Sequence, residues 1–232
     1  MVDLGGNNEY VMLIASLPRP GPLFVLKQTP MSRFKLEQRL RVLTPEHAQS
    51  LKLVEQVLDW GRLRMHTRDE EVIARTRQAL NELESETLCN IVKSRLELRT
   101  LIAALRMRAA GRAVPPTSRV WGYGGELARI THNWSAPDFG LSRRYPWLAE
   151  ADRLIRQGDA LALERIILEE AYRDLERRGG LHLFDFEAVV IYVLKWNIVD
   201  RWARQNADGA SRRFDELTET GLGAFSSLSF ET

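Results

Sequence analysis

Phe184-Asp185-Phe186-Glu187-Ala188-Val189-Val190-Ile191-Tyr192-Val193-Leu194-Lys195-Trp196-Asn197-Ile198-Val199-Asp200-Arg201-Trp202 is the stretch that decides the fold. Ile191, Leu194, Ile198 and Trp202 recur at steps of three and four, and Val189, Val193 and Trp196 form a second apolar row beside them. Two rows make a wide apolar surface, and a helix greasy nearly all round must be covered by other helices. The expected helix runs over 186–206. Asp185 is its expected N-cap, Phe184 and Val189 stand at staple positions, and Glu187 suits the positive end of the helix dipole. The apolar run 188–194 is too short to span a bilayer, which takes roughly 20 residues.

Working outward, the remaining signals are helical as well. Tyr10 to Leu17, closed by Pro18, is a short apolar run that periodicity alone assigns to neither helix nor strand, and the lack of strand partners favours helix. A short helix is expected within 32–43. Thr44 as N-cap with Pro45 behind it starts another, carrying Ala48, Leu51, Val54 and Leu58. Thr67-Arg68-Asp69-Glu70 fits a capping box ahead of Val72, Ile73, Leu80 and Leu83. A long helix follows, apolar through Leu88, Ile91, Val92, Leu98, Leu101, Ile102 and Leu105, with Lys93, Arg95, Glu97, Arg99, Arg106 and Arg108 assigned to its outer side. Gly111 and Pro115-Pro116 end it.

Composition shifts abruptly at 111–125, so the lobe boundary is placed there. Gly122-Tyr123-Gly124-Gly125 lacks the Lys-Ser/Thr and the preceding strand of a phosphate-binding loop. A short helix near 126–131 leads to an aromatic irregular stretch, in which Trp134, Phe139 and Trp147 are expected to plug the core. Helices over 146–157 and 160–178 meet at Gly158 and Asp159, the second with Leu161, Ile166, Ile167, Ala171 and Leu175 as its apolar side. The organisation expected is a disordered leader over 1–9, an N-terminal helical lobe over 10–112, a C-terminal helical lobe over 113–217 ending in a short helix around 214–217, and a flexible tail over 218–232.

The 232 residues are 44% apolar, and 33 basic residues against 31 acidic ones leave a formal charge of +2. The two signs are interleaved along the helices, a solvated-helix pattern and not a phosphate-binding stripe. One row, Arg95, Arg99, Arg106, Arg108 and Arg112, is the motive for a nucleic-acid reading, and Glu97 and the apolar rows dilute it. The single Cys89 excludes an intramolecular disulfide. Asp3 and Glu9 stand where a signal peptide carries basic residues, so a cytoplasmic protein is expected. No enzyme is expected: His47, His66, His132 and His182 are scattered without ligand spacing, and no Ser or Cys sits in a nucleophile elbow. No cofactor and no metal are expected either.

Two long helices end alike, in Ala109-Ala110-Gly111 and in Ala207-Asp208-Gly209, which hints at a twofold repeat. Together with Tyr10 to Pro18, Asn133-Trp134, Pro137 to Leu141, Gly158 to Arg165 and the stretch quoted first, this arrangement resembles a bacterial family encoded alongside V-type ATPase genes. That family is similar to the V-type ATPase rotor component known as C in prokaryotes and as d in eukaryotes. The resemblance covers most of 10–217. It implies an all-α, C/d-like helical bundle of two similar lobes, whereas the authentic rotor component has three. It also implies a non-enzymatic adaptor between the central shaft and the membrane rotor ring of a rotary ATPase, held at the membrane by protein contacts; an assembly or regulatory factor is the alternative. Such a part needs rigid helices and a matched polar docking surface. Asp138, Arg143, Arg144, Lys195, Asp200 and Arg201 are the expected polar set, either docking a partner or locking the lobes together.

Overall fold

The computed structural model describes residues 10–25, 28–58, 69–116 and 121–205. The expectations for 1–9, for the capping residues 67 and 68, for the helix at 214–217 and for the tail lie outside the described residues. Among those described, the regular structure is entirely helical: α1 Val11–Ser16, α2 Arg33–Leu40, α3 Pro45–Leu58, α4 Asp69–Glu82, α5 Glu86–Ala109, α6 Leu127–His132, α7 Leu148–Gln157 and α8 Ala160–Gly179, then α9 over 186–205. The all-α expectation holds, and the ambiguous run after Tyr10 is a helix. None of these helices is long and apolar enough to cross a membrane.

The helix starts follow from their caps. Ser32, Ser85 and Asp159 each accept a first-turn backbone N–H, from Lys35, Leu88 and Ala162. Thr44 Oγ1 takes the N–H of His47, and Asp185 Oδ1 takes that of Ala188 at 2.9 Å. Gly158 closes α7 in the left-handed conformation (φ 73°), where a side chain would be strained.

α9 is the axis of the larger apolar cluster. Phe186, Val189, Val190, Ile191, Tyr192, Val193, Leu194, Trp196, Ile198, Val199 and Trp202 are all buried. They pack with Tyr10, Leu13, Leu36, Leu51, Val54, the first half of α5 (Leu88 to Leu98) and the second half of α8 (Leu168 to Leu175). Polar edges of this cluster end on backbone carbonyls: the Trp196 indole donates to Met31 O and the Tyr192 hydroxyl to Pro18 O, each at 2.9 Å. Tyr10 N donates to Phe184 O at 2.8 Å, which ties the start of α1 to the turn before α9.

A second cluster holds Leu101, Ile102, Ala104 and Leu105 of α5, Trp121, Ile130, Trp134, Phe139, Leu141, the inner face of α7 and Leu163 of α8. The division of the interior therefore does not fall at residue 112: α5 and α8 each pass from one cluster into the other. The second cluster is one continuous stretch of chain, Leu101 to Leu163, inserted between the two parts of the first.

Two apolar assignments change. Leu161 is 49% exposed, and Leu163, Leu168 and Tyr172 join Ala171 and Leu175 as the buried residues of α8. Ala48 of α3 is exposed, leaving Leu51 and Val54 as that helix's buried residues. Trp134 and Phe139 plug the second cluster as expected, and Trp147 is half-buried between the two.

Candidate functional site

The six polar residues singled out from the sequence form two separate groups. Lys195, Asp200 and Arg201 lie on α9, whereas Asp138, Arg143 and Arg144 lie in the irregular stretch between α6 and α7.

On α9 the charges face α8, which runs antiparallel to it. Lys195 Nζ is 3.8 Å from Glu176 Oε1 and 5.0 Å from the centre of the Tyr172 ring. Burial pushes the Lys195 ammonium below its ordinary value, and Glu176 opposes that shift. Arg201 Nε donates to Glu164 Oε1 at 2.5 Å, and Gln205 Nε2 donates to the other oxygen of Glu164. Beyond the first clasp, toward the turn that joins them, the helices approach closely, since a Cβ on Gly179 would stand 3.4 Å from Ile191 Cγ2. Asp200 turns away and pairs with Arg204, itself 73% exposed. Lys195 and Arg201 thus clamp α8 to α9, and Asp200 is the member of this group whose ion pair stays on its own helix.

Asp138 builds a turn. Its Oδ1 accepts the N–H of Gly140 at 3.0 Å and its Oδ2 that of Ser142 at 3.2 Å, and these hydrogen bonds, Gly140 first, hold its carboxyl below the usual range. The turn carries Phe139 at φ 54°, an uncommon conformation for a bulky residue, with its ring fully buried. Arg144 bridges Glu126 at 2.5 Å and Glu97 at 3.6 Å, and its guanidinium lies 5.3 Å from the Tyr145 ring centre. The Tyr145 hydroxyl also donates to Glu97, at 3.1 Å. Burial, with Glu97 adding to it, raises the Tyr145 phenol well above its ordinary value. Arg143 is exposed.

Two interior polar centres were missed by sequence reasoning. Arg108, assigned to the outer side of α5, points inward and is 9% exposed at its side chain. Its Nη2 donates to Asp152 Oδ1 and to Pro137 O, both at 2.8 Å, and its Nη1 to Trp134 O at 3.1 Å and to Ala136 O. The guanidinium carbon sits 4.5 Å from the Phe139 ring centre, and Arg156 holds the second oxygen of Asp152 at 2.9 Å. Arg95 also departs from the outer side: it is buried enough for desolvation to lower its guanidinium to about 10, with Asp174 opposing and Arg201 reinforcing. The basic row behind the nucleic-acid reading is therefore broken, with Arg108 turned into the protein and Arg95 and Arg99 half-buried, while Arg106 and Arg112 are exposed. A long Arg stem places its head off the face its Cα marks, so helical spacing alone could not separate Arg108 from Arg106.

The glycine string after α5 is taken up by packing. A Cβ on Gly122 would meet Thr100 Cγ2 at 2.6 Å, and Tyr123 N donates to Thr100 Oγ1 at 2.9 Å. Gly125 N donates to Glu97 Oε1 at 3.3 Å, so a carboxylate of the protein occupies that N–H of the loop. Neither any model of a known family, nor any curated protein, nor any solved structure matches this chain.

Proposed function

We propose that the protein is a non-enzymatic structural adaptor of a V-type rotary ATPase, linking the central shaft to the membrane rotor ring and held at the membrane through protein contacts. The observation that carries the mechanical part is the sharing of α5 and α8 between both apolar clusters. α5, of 24 residues, is roughly 36 Å long and α8, of 20 residues, roughly 30 Å. Two rods that each pack into both clusters resist bending and twisting as one body, which a torque-bearing part requires.

The choice of machine rests on the family resemblance of the quoted stretches. Lys195 and Arg201 then act as internal locks, while Asp200 with Arg204 and the exposed Arg143 offer charge to a partner. The test is a pull-down of the tagged full chain from gently solubilised membranes of its own source, with mass spectrometry of what accompanies it. Shaft and ring proteins in constant ratio support the adaptor. Nucleic acid, or no ATPase component, sinks it. Substoichiometric recovery confined to incomplete complexes marks the assembly factor instead.

A further inference from the structure

The turn from α8 to α9 meets the start of α5, and three metal-binding side chains come together there. His182, Asp185 and Glu187 each present a ligand atom within 4.8 Å of the others. His182 and Asp185 are largely shielded, with side chains 16% and 10% exposed. Among the described residues no lysine or arginine lies within ion-pair distance of either carboxylate, and His182 is the basic partner of Asp185.

Each of the three also has one polar atom fixed from behind. Asp185 Oδ1 accepts the Ala188 N–H at 2.9 Å, which leaves Oδ2 facing His182 Nδ1 at 2.6 Å. His182 Nε2 lies 3.0 Å from Thr87 Oγ1, and Nδ1 meets the Asp185 carboxylate through one proton; an ion that takes that proton's place shifts the imidazole to the tautomer whose Nε2–H donates to the Thr87 hydroxyl and whose Nδ1 lone pair faces the ion. Glu187 Oε1 accepts the Ser85 hydroxyl at 2.6 Å, which leaves Oε2 without that constraint. Such outer hydrogen bonds are what orient imidazole and carboxylate ligands toward a metal ion.

We propose that His182, Asp185 and Glu187 form a site for one divalent cation of the zinc class, with a water molecule as fourth ligand. An imidazole with two carboxylates suits zinc and its neighbours among the transition metals better than magnesium or calcium, which prefer all-oxygen shells. Tetrahedral ligands about 2.1 Å from the ion stand roughly 3.4 Å apart. The His182–Asp185 contact of 2.6 Å therefore opens by roughly 0.8 Å when the ion replaces the proton between them. The two formal negative charges balance the ion. The positive N-terminal ends of α5 and α9 oppose the cation, which sets affinity below that of a thiolate-built structural site. The ion would staple the first turn of α5 to that of α9.

The test uses the full chain after chelator treatment, titrated with Zn²⁺, Co²⁺ or Mg²⁺. Zinc is expected to raise Tm by about 5 °C at a hundredfold excess over Kd, magnesium to leave it unchanged, and one equivalent of cobalt to develop the visible bands of a four-coordinate ion. Glu187→Gln and His182→Gln are each expected to weaken zinc binding at least about tenfold, and His132→Gln, on exposed α6, to bind as the parent does. Absence of both the zinc shift and the cobalt bands overturns the proposal without recourse to variants. So does zinc stabilisation that survives Glu187→Gln or is lost in His132→Gln.

Discussion

The two apolar clusters are built on opposite terms. The larger is packed around one regular helix whose buried side chains are aliphatic and aromatic, with the Trp196 indole and the Tyr192 phenol reaching backbone carbonyls. The smaller is packed under an irregular stretch, 133–147, whose carbonyls converge on one buried guanidinium. In the first, stability is spread over many equivalent contacts and no single side chain decides the fold. In the second, Arg108 satisfies carbonyls of Trp134, Ala136 and Pro137, covers Phe139 and neutralises Asp152, so several losses coincide in one residue.

The sharpest way to break this contrast is Arg108→Ala. It leaves three loop carbonyls and one carboxylate oxygen without their donor and is expected to cost about 4 kcal/mol in urea unfolding. Hydrogen exchange should then show α6 and α7 opening while α9 stays protected. One cooperative transition with uniform loss of protection would mean that the clusters are not separable. Trp196→Phe is the matching lesion in the larger cluster. It removes one buried indole donor and some volume, and about 2 kcal/mol is expected in the same experiment.

Smaller effects sharpen the picture. Asp159→Ala removes the cap of α8 and should cost about 1 kcal/mol, read as a lower thermal midpoint. Lys195→Met should be stabilising by about 0.5 kcal/mol at pH 7, because a largely buried ammonium whose one ion-pair partner is exposed gives way to an apolar stem. The sign with pH follows from the lowered ammonium. Below its folded-state value the penalty for burying the charge is fully present, and it fades as pH rises toward the ordinary 10.5. The advantage of Lys195→Met over the parent should therefore shrink as pH rises toward 10.5, and an advantage that grows over that range contradicts the assignment.

How much of this was legible in the sequence divides along the same line. α9, α5 and the caps at Thr44, Asp159 and Asp185 are local features, where residue type and spacing of three and four carry the information. The inward turn of Arg108 was not legible, because a long flexible side chain has no periodicity of its own. Leu161 illustrates a related limit: it lies on the boundary of the apolar arc of α8, and the positions of α5 and α7 decide that Leu163 is covered and Leu161 is not. The polar set was legible as unusual charge and no further. Nothing in residue spacing distinguishes a lysine that clasps the adjacent helix from one that meets a partner. The His182, Asp185 and Glu187 grouping carried a readable signal, three ligand types within six residues, but its relation to Ser85 and Thr87 spans about a hundred positions of chain.

The nesting of one cluster inside the other has a consequence for how the chain comes off the ribosome. Every buried member of the smaller cluster has been synthesised once Leu163 is in place, so its contacts can close while the ribosome is still at work. The larger cluster lacks its axis until α9 has been added, and before Phe186 is made, Tyr10, Leu36, Val54 and Leu88 have nothing of that helix to pack against. These residues are thus made before the smaller cluster and buried after it, and their exposed apolar surface over that interval is a target for a chaperone.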